Sequence, residues 1–398
     1  MQNKILIIGN GFDLYHRLPT GYKDFLFFAR HWNEFKSEYD KQDISTEGCL
    51  HEPIEVRLGE KNELTLESLK DFAEHAYLYS VEHIKYLDDH IRDNAWLKYF
   101  ENVTPPGQNW IDFEAEIYKA LQQVEFYYER LLPGIDNDVP MKHMPELMTK
   151  VIYTFSDKPE KVRNGYENLA KSIFRSNRDA DPAKLHPNKE LLLKAMKEEL
   201  DVLNLCLDFY LLEFVSVIKC NVYSEQIKEI GDIYLLNFNY TYTFASVYGK
   251  RSLLQHHPIH GEAKEENLVL GIPDDSFLKS MDYIYFQKFF QRIQKKTGNF
   301  YKEWPVRPEH PTLEDMPAQV YIVGHSLNKV DKGVLKDFFM EQNVESIKIF
   351  YHSQSGYENQ VVNLVEMFGR DYVIDQIGKG RIIFEELKPP VEGDPRRD

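Results

Sequence analysis

The chain has 398 residues, with 48 Lys plus Arg against 64 Asp plus Glu, a formal net charge of −16. Such a surface repels phosphate backbones, which argues against a dedicated nucleic-acid or membrane-surface binder. Hydrophobic residues at 42% and aromatics at 14% exclude wholesale disorder, and the three cysteines, Cys49, Cys206 and Cys220, form no C-x-x-C, so neither a zinc site nor a disulfide framework is expected.

The first element is a buried strand, Lys4 to Ile8, followed by the tight turn Gly9-Asn10-Gly11. The apolar run is far shorter than a secretory core, and no apolar stretch is long enough to span a bilayer, so the expected location is cytoplasmic. After Pro19 and Thr20, the segment Tyr22 to Phe28 predicts an amphipathic helix with its aromatics inward. Helical spacing of apolar residues then runs from about Asn62 to Ala95. Trp110-Ile111-Asp112-Phe113-Glu114 opens another helix, and a long one spans Lys189 to Ile218.

Short apolar runs bounded by turn residues return after Gly231: Ile233 to Leu236, Leu268 to Leu270, Val320 to Val323, Ile347 to Phe350 and Ile382 to Phe384. Helical patterns follow the third and fourth of these, at Asp331 to Met340 and Glu358 to Phe368. Alternation of this kind predicts an α/β fold with a parallel sheet. The first strand joins that sheet across a large helical insertion. The expected organisation is a discontinuous α/β core over 1–30 and 229–388, an insertion over 31–228, and a flexible tail over 389–398.

Four turns carry the residue types that chemistry needs, and three of them directly follow predicted strands. In open parallel sheets, ligands sit beyond the carboxyl ends of strands, so these turns should meet at one crevice. In Gly9-Asn10-Gly11-Phe12-Asp13, two glycines let backbone approach a ligand, and exposed amides can hold a phosphate or ribose oxygen. A plain strand-to-helix turn explains the same glycines. In Asn237-Phe238-Asn239-Tyr240-Thr241, two amide side chains can hold a sugar hydroxyl, although asparagine is also a common turn residue.

The third turn is His256-His257-Pro258-Ile259-His260-Gly261. Three histidines suggest metal, but cysteines and an H-E-x-x-H helix are missing, so no metal is expected. One loop histidine near a ligand suits general-base work, and a structural histidine is the bland alternative. The fourth, Gly324-His325-Ser326-Leu327-Asn328, resembles a nucleophile elbow with Ser326 as nucleophile and His352 as base, except that the fifth position is Asn328 instead of glycine. A nucleotide-binding turn is the competing reading.

Taken in order, these motifs resemble the AbiH family of bacteriophage abortive-infection proteins: Ile7 to Leu14 with Leu18 to Tyr22, Trp110 to Glu114, Leu236 to Thr241, Ile259-His260-Gly261 and Gly324 to Leu327. The order is also similar to the sirtuin (SIR2-like) NAD-binding fold, a Rossmann-like parallel sheet. That resemblance implies that Gly9, Asn10, Gly11 and Asp13 lie along the pyrophosphate and ribose. It makes Leu18 and Pro19 the covering segment, matches Asn239 to the ribose-binding asparagine and gives His260 the catalytic role, with Thr20 and Asn237 as further cofactor-binding candidates. Gly324 and Ser326 fall on the adenosine side. Asp13 stands where sirtuins usually carry serine, and Thr241 where they carry aspartate; the four zinc cysteines of protein deacylases have no counterpart.

The implied activity is NAD hydrolysis at the nicotinamide N-glycosidic bond, depleting the infected cell, with His260 and Asn239 as catalytic residues and NAD as substrate or ligand. A serine hydrolase built on Ser326 and a non-catalytic NAD- or nucleotide-sensing module are the alternatives. The expected partners are NAD or a related nucleotide, a phage-derived trigger and further copies of the chain, with neither membrane nor nucleic acid.

Overall fold

A computed structural model describes residues 3–42, 52–104, 111–131, 189–273, 278, 280–304 and 317–396. Cys49 and Trp110, singled out in the sequence, lie outside these residues.

Six strands form one parallel sheet: β1 (Asn3–Ile8), β3 (Ile233–Asn237), β4 (Leu253–Pro258), β5 (Ala318–Val323), β6 (Val344–Tyr351) and β7 (Ile382–Glu386). Its spatial order is β4-β3-β1-β5-β6-β7. Counted along the chain, the sheet strands run three, two, one, four, five, six, the doubly wound Rossmann-type order. β1 lies in the middle, with Ile5 paired to Tyr234 on one side and to Val320 on the other. Strands covered on both faces need apolar residues at every position, and Ile5 to Ile8 are all 0–1% exposed. Chain order reverses between β1 and β5, which opens a crevice at their carboxyl ends.

The expected alternation is present, with two differences. Leu268 to Leu270 is buried but is not a strand; the Val269 amide donates to His260 O (2.8 Å), and the Leu270 amide to the Gln291 side chain (3.1 Å). An apolar run reports burial and does not by itself report a ladder. Conversely, His256 and His257 belong to β4, and of the three histidines only His260 lies in the turn that follows it. This edge strand is only partly buried, so its sequence lacks the apolar run that marked its neighbours.

The helical region holds the larger apolar cluster. It is centred on aromatic contacts to Phe214, whose ring lies 4.6 Å from Phe28, 4.7 Å from Tyr79, 5.1 Å from Phe35 and 5.4 Å from Phe72. The cluster also takes in Leu18, Phe25 and Phe28 on one side of the insertion and Leu268, Leu270, Ile272, Leu278, Tyr283 and Phe286 on the other. Helix Lys189–Phe209 continues as a π-helical turn, Tyr210–Val215. The periodicity from Asn62 to Ala95 resolves into helices Leu66–Glu74 and Val81–His90 with a 3-10 turn between them.

The segment expected as a flexible tail carries pairings at residues 391–393. β8 (Val391–Glu392) pairs antiparallel with β2 (Val222–Tyr223), the Gly393 amide donates to Asn221 O (2.8 Å), and Glu392 meets Arg17 at 2.8 Å. Its prolines and charges mask a two-residue pairing too short to show a pattern. No helix among the described residues is long and apolar enough to cross a membrane.

Candidate functional site

All four turns end strands that are neighbours in the sheet: β4, β3, β1 and β5. They meet at a cavity of about 450 Å³, bounded on its far side by Leu207, Leu211, Ile111 and Glu114 of the helical region. Such a volume lies within the range of small-molecule sites.

The turns after β1 and β5 are locked to each other through backbone. The Gly9 amide donates to Val323 O (3.2 Å), the Gly11 amide to Gly324 O (2.8 Å), and the Phe12 amide to Gly9 O (2.8 Å). A Cβ on Gly11 would fall 2.8 Å from Gly324 Cα, and one on Gly324 would fall 2.0 Å from the Phe12 nitrogen. Gly324 also has φ +66°, a conformation that favours glycine. Gly11 and Gly324 thus serve close approach between two turns, and the Gly11 amide is committed there. Gly9, Asn10 and Ser326 do line the cavity. Asn10 Oδ1 accepts from the Thr20 hydroxyl (2.6 Å), linking two lining residues. Pro19 lies aside, its carbonyl accepting from the Tyr210 hydroxyl at 2.6 Å.

The turn after β3 divides its two asparagines. Asn237 is 1% exposed and spent on the turn: Oδ1 accepts from the Asn239 amide (2.8 Å) and Nδ2 donates to Thr241 O (3.0 Å). Asn239 is 4% exposed and lines the cavity, yet neither Oδ1 nor Nδ2 has a hydrogen-bond partner. Buried polar groups are normally paired, so an amide with both ends free is notable. Asp13 resembles it. One carboxylate oxygen accepts from the Thr241 hydroxyl (2.6 Å), the other has no partner of full hydrogen-bond geometry, and burial pushes the group up to about 6 against the pull of Thr241, Thr243 and the neighbouring Asn239 side chain.

The three histidines diverge. Adjacent strand residues face opposite ways: His256 Nδ1 meets Glu262 at 3.2 Å, while the His257 ring packs against Tyr301 at 5.4 Å. Only His260, of these three, lines the cavity, and it is 5% exposed. Its Nε2 lies 3.2 Å from Asp331 Oδ1 and 3.4 Å from Lys288 Nζ. Lys288, 1% exposed, also meets Asp331 Oδ1 at 3.3 Å and Glu114 at 2.9 Å. His325 Nε2 stands 3.6 Å from the other Asp331 oxygen. Burial and the Lys288 charge hold the His260 imidazole down at about 4, so it is neutral at physiological pH. Lys288 is raised despite burial by its two carboxylates, and Asp331 is held well below the carboxylate range by Lys288 and His260. Burial pushes Glu114 up to about 7, opposed by Lys288.

Sequence reasoning passed over Lys288, Asp331 and His325 as site residues and read Glu114 only as part of a motif. A lysine flanked by Phe286, Phe289 and Phe290 was an available signal. Asp331 sits where a helix N-cap belongs but makes no cap hydrogen bond, its carboxylate having turned inward. The elbow reading gains nothing: among the described residues no hydrogen bond joins Ser326 to a histidine, and its carbonyl accepts from Asn363 (2.8 Å).

A doubly wound α/β protein with an ionic site buried at its switch point and bounded by helices is the class these features define. Matching over residues 5–353 to the family described as bacteriophage abortive infection AbiH goes further: the chain belongs to that family, and its role is in abortive infection against phage. No curated protein and no solved structure matches it.

Proposed function

We propose that the protein hydrolyses NAD at the bond between nicotinamide and ribose. The observation that carries this reading is Asn239, buried at the mouth of β3 and lining the cavity beside Asp13, with no hydrogen bond of full geometry at either its donor or its acceptor. A ribose hydroxyl, which donates and accepts, is the complementary group. The unpartnered oxygen of Asp13 offers a second acceptor in the same cavity. Asp13 and Thr241, the two departures from the sirtuin pattern, are hydrogen-bonded to each other, so the exchange preserves a carboxylate–hydroxyl pair.

The chemistry suits these groups. Nicotinamide leaves with the bond electrons as a neutral molecule, so no acid is required. The ribose becomes oxocarbenium-like, which the carboxylates of Asp13 and Asp331 favour. Water attacking such a cation is acidified by it, so a weak base suffices to take its proton. His260, neutral and hydrogen-bonded to Asp331, fills that role. Turnover should therefore be level above about pH 7, decline as Asp13 takes up its proton near 6, and fall further as His260 protonates near 4.

The test incubates the purified protein with NAD, with and without phage extract, and follows nicotinamide release. Release that is abolished by His260→Ala but largely kept by His256→Ala supports the reading. Absence of release under both conditions sinks it.

A further inference from the structure

Lys288 does nothing for its own helix. It occupies the first position of the short helix Lys288–Gln294, where a cation opposes the peptide dipoles. Burying an ammonium is costly unless it is paired on several sides. Its two carboxylates come from different parts of the molecule: Glu114 from the first turn of helix Phe113–Phe126 in the helical region, and Asp331 from the turn that follows β5. The third contact is the candidate base itself. Lys288 Nζ, Asp331 Oδ1 and His260 Nε2 form a triangle with sides of 3.2, 3.3 and 3.4 Å.

A triangle of cation, anion and imidazole constrains the histidine in a definite way. Asp331, the nearer of the two neighbours of Nε2, accepts and cannot donate, and Lys288 donates to Asp331 as well, so Nε2 turned to the carboxylate carries the hydrogen and Nδ1 keeps its lone pair. An isolated Asp331 would then draw a second proton onto the ring. Lys288 beside Nε2 opposes that proton.

We propose that Lys288 is the positioning residue of this site, holding His260 against Asp331 as a neutral ring with Nδ1 free, and that Glu114 makes this dependent on the helical region. The inference rests on the reading of His260 as the base. Glu114 fixes where Nζ stands, so the base is set only when the helical region and the sheet are seated together. The groups facing His260 are Asp331 and Lys288 directly, Glu114 and His325 through them, the more distant Arg292, and the rings of Phe238 and Tyr240.

The experiment follows the His260 ring protons of the full chain by NMR as pH is varied, with His260→Gln to assign them. Alongside it, nicotinamide release is measured against pH. In Lys288→Met the ring's midpoint should rise by at least one pH unit, with a matching upward shift of the acid limb of turnover. Lys288→Gln, which can still donate to both carboxylates, gives the same shift if the methionine variant does not fold. Lys288→Arg should restore a near-wild-type midpoint. A role in stability alone would lower the melting temperature and leave the midpoint unmoved, and an unmoved midpoint in a folded uncharged variant overturns the proposal. Absence of nicotinamide release from the wild type would overturn the reaction instead, because the ring titration is read without turnover.

Discussion

The two walls of the crevice differ in what their polar atoms are doing. Where the turns after β1 and β5 meet, amides and carbonyls are spent on each other, and Gly11 and Gly324 are there because two backbones touch. Across the crevice, the turn after β3 is held by Asn237, and this frees Asn239 with both polar atoms unpaired. Glycine-rich and asparagine-rich turns look equally functional in a sequence. The structure separates the atoms that build the crevice from those available to a ligand.

Breaking the first wall should have the largest effect. Gly324→Ala places a Cβ 2.0 Å from the Phe12 nitrogen at a positive φ, and neither backbone can yield. We expect a loss of roughly 3 kcal/mol or more in denaturant unfolding. A variant that melts like the wild type would show that the turns are not interlocked. The second wall should respond in the opposite sense. Asn239→Ala removes two unsatisfied buried groups, so stability should hold or rise, while nicotinamide release falls at least tenfold, about 1.4 kcal/mol of barrier. Asn239→Asp should lose turnover to a similar degree. Full turnover in both variants would break the assignment.

Asp13 sharpens the comparison through pH. Its folded carboxyl titrates near 6, above the unfolded value, so ionising it costs stability. The cost is absent below about pH 4, grows as pH rises through 6, and is complete above it. Asp13→Asn keeps an acceptor for Thr241 and should be more stable than the wild type by about 2–3 kcal/mol at pH 7.5, with the gap closing by pH 4. Equal gaps in denaturant melts at both values would contradict this. The smallest effect should come from Ser326→Ala. Its side chain is exposed at the cavity edge, so KM should rise less than about tenfold with kcat nearly unchanged, whereas an elbow nucleophile would lose all turnover.

Much of this was legible in advance for a physical reason. Short apolar runs ending in glycine or asparagine mark buried parallel strands and their carboxyl ends, and topology brings those ends together. What stayed hidden depends on distant neighbours. β4 has no apolar run because it is an edge strand, and Leu268 to Leu270 has one without being a strand. The phenylalanines around Lys288 hint at its burial, but nothing in a sequence tells what pairs it, because its counter-ions lie far away along the chain at Glu114 and Asp331. Asp13 and Thr241 looked like two separate departures until their contact joined them.

The central position of β1 has a consequence for how the protein comes into being. β1 is made early, yet its partners β3 and β5 follow only after hundreds of residues, and the turn at Gly9 is held by the turn at Gly324. At roughly 5–20 residues per second, that wait during synthesis is on the order of 15–60 s. Until the ribosome has passed Asp331, the crevice lacks a wall, His260 lacks its hydrogen-bond acceptor and Lys288 lacks a counter-ion. A chain still being translated, or cut short before that point, carries the helical region but not the site. On the reading of His260 as the base, unfinished copies would be inactive.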